Sequence, residues 1–176
     1  YSMLTNSTNL SGHESNKDKF IGLSKEKYCP MTNYKLAQKS NLDRDVIFKI
    51  STDVENFHKI MPKYFKSMKI ISYSLNEKIV LESIHFMGRK IQMKTKHVII
   101  EPNIHKVFIL SGPSKGTSFI ETYDSNSMGT DISIIVDLKL NGVLNLIPFV
   151  KILLLKRMNS VMSEFIHCAE IYSKLS

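Results

Sequence analysis

The sequence predicts an α+β domain, an antiparallel sheet of seven strands covered by one long C-terminal helix. Three features of the chain carry that expectation. Over residues 68–140 apolar and polar residues alternate with a period of two, broken by turn residues. After Pro148 the apolar spacing lengthens to three and four, as in an amphipathic helix. Ahead of the alternating region, one short strand is followed by two short helical segments in tandem.

Residues 1–31 are rich in Asn, Ser, Lys and Gly without apolar periodicity, and read as a flexible tail before a domain over 32–176. Tyr1-Ser2 resembles an expression scar before Met3, and no apolar signal-peptide core follows. The first strand is expected over 34–40. Asp43 then caps a helix whose apolar stripe is Val46, Ile47 and Ile50. Thr52 or Asp53 starts a second helix, with Val54, Phe57, Ile60 and Met61 inward and Pro62 ending it. Six strands follow, over 68–75, 78–86, 90–100, 106–111, 117–124 and 130–140. They are separated by turn signals at Asn76-Glu77, Gly88-Arg89, Pro102-Asn103, 112–116 and 125–129. Alternation is cleanest in the last strand. Ile132, Ile134, Val136, Leu138 and Leu140 share one face; Asp131, Ser133, Asp137 and Lys139 share the other, with Ile135 the exception. Asn141-Gly142 closes the sheet. Pro148 suits the first turn of the long helix, and Val150, Leu154, Met158, Val161, Phe165, Cys168 and Tyr172 form the face that lies across the sheet.

Composition excludes several classes. With 43% hydrophobic and 23% charged residues, the chain has enough apolar content for a core and is not a disordered sequence. Its longest apolar stretch, 143–155, is broken by Asn145, Pro148 and Lys151, short of the ~18 residues a membrane span needs. Cys29 and Cys168 are far apart and form no CxxC, which argues against a disulfide framework or zinc finger and for a reducing, cytoplasmic setting. The N-x-S/T sequons at Asn6 and Asn9 would matter only in a secreted protein. An excess of 24 basic over 16 acidic residues permits nucleic acid, ribosome or anionic membrane as a partner without choosing among them. DNA is not expected, and the residues leave the oligomeric state open.

The order strand, two short helices, six strands, long helix resembles the START-like, Bet v 1-like (SRPBCC) superfamily. The resemblance covers residues 33–175. DVIFKISTDVENFHKIMPKYFKSMKII (45–71) is similar to the opening of its polyketide cyclase/dehydrase and coenzyme Q-binding branch. HFMGRKIQ (85–92) and MGTDISIIVDLKL (128–140) resemble that branch's hairpin and final strand. The resemblance implies a helix-grip fold, in which the sheet curls around the C-terminal helix and the two short helices close one end. It also implies a cavity for an apolar small molecule such as a lipid, isoprenoid, quinone or polyketide, with no metal or other cofactor. Nine Met residues fit an adaptable cavity wall as well as an ordinary core.

Register arithmetic suggests where polar groups meet that cavity. A two-residue turn at Gly88-Arg89 pairs Met87 with Lys90 and Phe86 with Ile91. Lys90, Gln92, Lys94 and Lys96 then face outward. Ile91, Met93, Thr95, His97 and Ile99 face inward, opposite Val80, Glu82, Ile84 and Phe86. Matching the family's strand pattern also turns Phe119, Glu121 and Tyr123 inward. The expected ligand contacts are Phe57, Met61, Glu82, Ile84, Phe86, Ile91, Met93 and His97, with Glu121, Tyr123, Ile134, Val136, Leu154, Met158, Met162 and Phe165. A carboxylate facing a His in a covered site is material for proton transfer or for holding a ligand's polar group. The alternatives of a structural ion pair, or a bulge turning Glu82 outward, stay open. Glu82, His97 and Glu121 also have the chemistry of a three-ligand metal site, one that a slipped register would remove.

Three other features bear on function. Residues 112–116 fit G-x-S-x-G, but a nucleophile elbow joins a strand to a helix and this segment joins two strands. Lys59, Lys63, Lys66 and Lys69, together with Lys90, Lys94 and Lys96, form basic patches suited to solvent, phospholipid head groups or RNA. Ile152 to Leu155 are consecutive apolar residues that cannot all face the sheet, so some meet a loop, a partner or a membrane surface. The leading expectation is a carrier of a hydrophobic small molecule. The alternatives are a cyclase/dehydratase-like enzyme using Glu82, His97 and Glu121, and a basic ribosome- or membrane-associating module.

Overall fold

Residues 33–175 are described in a computed structural model; the expected tail, the two sequons and Cys29 lie outside them. Strand β1 (Asn33–Ser40) leads into helix α1 (Arg44–Thr52), a 3-10 turn (Val54–Asn56) and the short helix α2 (Phe57–Ile60). Strands β2 (Phe65–Tyr73), β3 (Glu77–Phe86), β4 (Arg89–Ile100), β5 (Ile104–Ile109), β6 (Ser118–Asn126) and β7 (Gly129–Asp137) follow. A second 3-10 turn (Gly142–Leu146) precedes α3 (Val150–Tyr172). The seven strands pair in the order β1-β7-β6-β5-β4-β3-β2, every neighbouring pair antiparallel. From β2 to β7 the chain is a meander. Only β1 breaks the run, and α1 and α2 carry the chain from it to the opposite edge of the sheet. This is the helix-grip α+β architecture, with α3 packed against β1, α1 and α2.

The core follows from the alternation. Ile132, Ile134 and Val136 of β7 are buried on the inner face, while Ile135 on the outer face stays 40% exposed. Phe57 packs its ring 5.0 Å from both Phe65 and Phe165, which binds α2, β2 and α3 at one point. Hydrogen bonds fix the helices at both ends. Ser40 Oγ and the Asn41 backbone N–H donate to Glu170 Oε1, each at 3.0 Å. Tyr64 donates to Glu164 Oε2 at 3.0 Å and accepts from Arg157 at 2.5 Å.

Several expected boundaries move. In α1, Val46 is 41% exposed and Phe48 takes its inward place beside Ile47. Asp43 stands at the N-cap, but its backbone carbonyl rather than its side chain accepts from Val46 and Ile47. Strand β2 begins at Phe65, three residues early, because Phe65 belongs to the aromatic cluster; its ladder has two irregularities, as suits an edge strand. The β3–β4 turn is Met87-Gly88, both with positive φ (51° and 75°), the primed turn whose twist suits a two-residue hairpin. Phe86 therefore pairs with Arg89 and Ile84 with Ile91, a displacement of two residues. Strand β5 starts at Ile104, two residues before the expected start. Strand β7 ends at Asp137, because Lys139 bonds through its N–H and its carbonyl to the Thr117 hydroxyl instead of continuing the ladder. Pro148 precedes α3 instead of lying in its first turn, separated from it by Phe149 at φ 61°.

Candidate functional site

Curvature of the sheet leaves a cavity of about 240 Å³ between its inner face and α3. Its wall is built element by element. Helix α2 and the residue after it bring Phe57 and Met61; β3 brings Glu82, Ile84 and Phe86; β4 brings Ile91, Met93 and His97. Strand β6 adds Glu121 and Tyr123, and α3 lays Leu154, Met158, Met162 and Phe165 across the top. Ile134 and Val136 do not reach it. Both are fully buried on β7, which is flanked by β1 and touched by α1. Inner-face position alone does not distinguish core from cavity wall, and that is why the alternation grouped them with the rest.

Six polar residues of the wall form one chain across four strands. Thr95 Oγ1 donates to Glu82 Oε1. His97 Nε2 lies 2.9 Å from the same oxygen, His97 Nδ1 lies 3.0 Å from His105 Nε2, and His105 Nδ1 lies 3.0 Å from Glu121 Oε2. Tyr123 donates to that Glu121 oxygen at 2.8 Å. The two imidazole planes are only 20° apart. All six residues are buried, Tyr123 to 1% exposure. The expected pairing of Glu82 with His97 is therefore present, but it is one link of a longer chain.

His105 is the group that sequence reasoning missed. Assigning Pro102-Asn103 as a turn and starting the strand at 106 left it in a loop. The signal was available, since counting back by twos from Ile109 through Val107 puts His105 on the inner face. Thr95 was placed inward without a role, and it proves to hold the Glu82 carboxylate.

Proton bookkeeping constrains the chain, in which Thr95 Oγ1 also lies 3.0 Å from His97 Nε2. Each of the three links between titratable groups needs one proton: Glu82–His97, His97–His105 and His105–Glu121. Three protons on two carboxylates and two imidazoles leave a formal charge of about −1, wherever they sit. Burial holds the His97 imidazole below its ordinary value, outweighing the hydrogen bond to Glu82, and the neighbouring His105 pushes the same way. Burial alone would raise Glu121, but the adjacent His105 and the hydrogen bonds from His105 and Tyr123 hold it below the usual carboxylate range. Burial and the nearby Glu121 charge push the Tyr123 hydroxyl well above its ordinary value, so it acts as a donor. Such a chain can pass a proton between its ends or accept hydrogen bonds from a guest.

Among the described residues no three His, Cys, Asp or Glu side chains converge as a metal ion would require. Glu82, His97 and Glu121 are strung out along the sheet with His105 between the last two. The 112–116 segment joins β5 to β6, with Gly116 N–H bonded to Ile109 and Thr117 N–H to Ser114, and so lacks the strand-to-helix turn of a nucleophile elbow. In the basic patches, Lys63 pairs with Glu164 at 3.6 Å and Lys96 with Glu77 at 2.8 Å, and Lys66 donates to the Pro62 carbonyl. Lys59, Lys69, Lys90 and Lys94 are exposed. No described helix is long and apolar enough to cross a membrane.

No protein-family model matches the chain, and no curated protein matches it in sequence. Solved structures do. A START superfamily protein from Mycobacterium smegmatis superposes with a TM-score of 0.66 at 11% identity, covering 82% of this chain and 99% of its own. The ZhuI aromatase/cyclase from Streptomyces sp. R1128 gives 0.66 at 13% identity, covering 78% and 93%. Ara h 8.0201 gives 0.63 at 15%, covering 82% and 98%. The chain has the START-like, Bet v 1-like (SRPBCC) helix-grip fold.

Proposed function

We propose that this protein binds or carries a hydrophobic small molecule, of lipid, isoprenoid, quinone or polyketide-like character, between the sheet and α3. The observation that carries the reading is the cavity itself, walled mostly by aliphatic, aromatic and Met side chains, with the buried polar chain and a few hydroxyls among them. Its volume lies just below the ~300–1,000 Å³ typical of small-molecule sites, and flexible Met93, Met158 and Met162 can re-pack around a guest. The fold neighbours add support, since one of them is an aromatase/cyclase. Native mass spectrometry of the purified protein, with analysis of its organic extract, tests the reading. A stoichiometric apolar adduct lost in a Met158→Trp variant is the expected result. Failure of any apolar compound to bind at micromolar concentration would end it.

A second reading is an enzyme of cyclase/dehydratase type. The buried Glu82–His97–His105–Glu121 chain favours it, because a proton relay opening on a substrate cavity is what such chemistry uses. Replacing His97 by Ala separates the two: a carrier loses affinity at most, whereas an enzyme loses turnover with binding retained.

The same carrier reading extends to a membrane as the source of cargo. Val143, Leu146, Ile147, Phe149, Ile152 and Leu153 are exposed on one segment, bracketed in sequence by Leu138 and Leu154, which both line the cavity. A cytoplasmic setting accords with the free thiol of Cys168.

A further inference from the structure

We infer that the cavity selects ligands whose buried polar end donates hydrogen bonds, a protonated amine or a hydroxyl, and rejects amphiphiles that end in a carboxylate or phosphate. This rests on the binding reading above and narrows its ligand class.

The argument starts from what the polar chain leaves unused. Glu82 spends Oε1 on Thr95 and His97, and Glu121 spends Oε2 on His105 and Tyr123. Among the described residues nothing bonds Glu82 Oε2 or Glu121 Oε1. Neither oxygen is sealed in protein, because the one described buried side-chain polar atom without a partner is Ser83 Oγ. Both side chains line the cavity, so the free oxygens keep surface on that side. Each can accept a hydrogen bond, since the protons of the chain lie on its internal links.

Nearly all donors of the wall, by contrast, are spent. Thr95 and Tyr123 give their hydroxyl protons to the two carboxylates, Ser51 is hydrogen-bonded to Tyr123, Thr117 gives its own to the Lys139 carbonyl, and the imidazole protons lie within the chain; the Ser114 hydroxyl, on the loop between β5 and β6, is the exception. No Lys or Arg lines the cavity, although the sequence contains 24 of them. The titratable groups facing it are Glu82 from β3, His97 from β4, His105 from β5, and Glu121 and Tyr123 from β6, with none from α2 or α3. Around Glu82 and Glu121 the site thus carries a net negative charge and presents free acceptors, with no cationic donor facing them. An anionic head brought there sets acceptor against acceptor and like charge against like in an apolar enclosure. A hydroxyl or ammonium supplies the donors that Glu82 Oε2 and Glu121 Oε1 lack.

The test is a head-group series on one alkyl chain, with decylamine, decanol and decanoate kept below micelle-forming concentration and competed against an apolar fluorescent dye. Decylamine and decanol should displace the dye at concentrations at least about tenfold lower than decanoate, the ratio expected when one or two buried acceptors are satisfied or left opposed. In an E82Q/E121Q double variant, checked for folding by its melting transition, the gap to decanoate should shrink. Decanoate binding as tightly as decanol to the unmodified protein overturns the head-group inference while leaving the cavity reading intact. If neither the dye nor any of the three compounds binds, it is the cavity reading that fails. The unmodified protein alone decides the matter should the double variant not fold.

Discussion

At His97 the imidazole is held neutral by burial, so acid must either charge it inside the cavity wall or unfold the protein around it. Its folded-state pKa lies below the unfolded value of 6.5, so between the two the unfolded chain binds more protons. The stability it contributes is therefore complete above pH 6.5 and declines as pH falls below that value. Glu121 acts lower on the scale. Its pKa is depressed from 4.5, so its contribution is present above that value and lost as pH falls through the folded pKa. The melting temperature should accordingly drop in two stages on acidification, and a His97→Gln variant should lose most of the first stage while keeping the second. A variant that declines as steeply as the parent just below pH 6.5 would move the effect to another group. Tyr64 offers a simpler case. Its hydroxyl donates to Glu164 and accepts from Arg157, both on α3, and only 4% of the residue is exposed. Tyr64→Phe removes both bonds and should cost roughly 1–3 kcal/mol in urea denaturation.

At the scale of elements, two glycines make opposite predictions. Gly129 opens β7 at φ 141°, and a Cβ there would stand 2.2 Å from the Ser40 carbonyl oxygen and 2.8 Å from Asn41 Cα, both backbone atoms that cannot swing away. Gly129→Ala should destabilise by more than about 2 kcal/mol, because the β1–β7 pairing must open to admit it. Gly88, in the β3–β4 turn at φ 75°, has nothing within 4 Å of such a Cβ, so Gly88→Ala carries only the left-handed backbone penalty of roughly 1–2 kcal/mol. Thermal melts of the two variants side by side check the contrast. That hairpin also shows why so much of the site was legible in the sequence. The turn lies one residue earlier than Gly88-Arg89, which moves the pairing by two, and an even displacement keeps every side chain on its expected face. Glu82 and His97 were thus correctly turned inward from an incorrect register. The same period of two, carried too few residues back, hid His105. A Pro-Asn signal locates a turn without saying where pairing resumes. Curvature was illegible for a different reason: Ile134 and Val136 share the inner face with Glu121 and Tyr123, and alternation assigns faces without saying which stretch of a face the cavity borders.

For the whole molecule, the question is how an apolar ligand gets between a sheet and the helix packed over it. Between Leu138 and Leu154 the chain has no acidic residue, carries Lys139 and Lys151, and exposes Leu146 to 79% and Phe149 to 81%. Phe149 holds a left-handed φ of 61° while its ring remains in solvent, a conformation few aromatic residues adopt without local need. Apolar side chains beside basic ones, on the segment that joins two cavity-lining residues, have the character of a surface that dips into the interface of an anionic bilayer. The protein should therefore sediment with vesicles containing phosphatidylserine. Raising the salt should weaken that association only in part, since salt screens the Lys contribution but leaves the apolar one. A Leu146→Ser/Phe149→Ser double variant should lose association with the vesicles and take up a vesicle-borne ligand more slowly, because both side chains lie outside the core. Its affinity for decanol offered from solution should stay within about twofold of the parent, since neither residue lines the cavity. If the double variant sediments like the parent, the bilayer meets another face, and the exposed lysines near α2 and on the outer sheet are then the surface to change. If it binds vesicles poorly yet loads at the parental rate, ligand exchange does not pass through this segment. In that case the cavity must open elsewhere along α3.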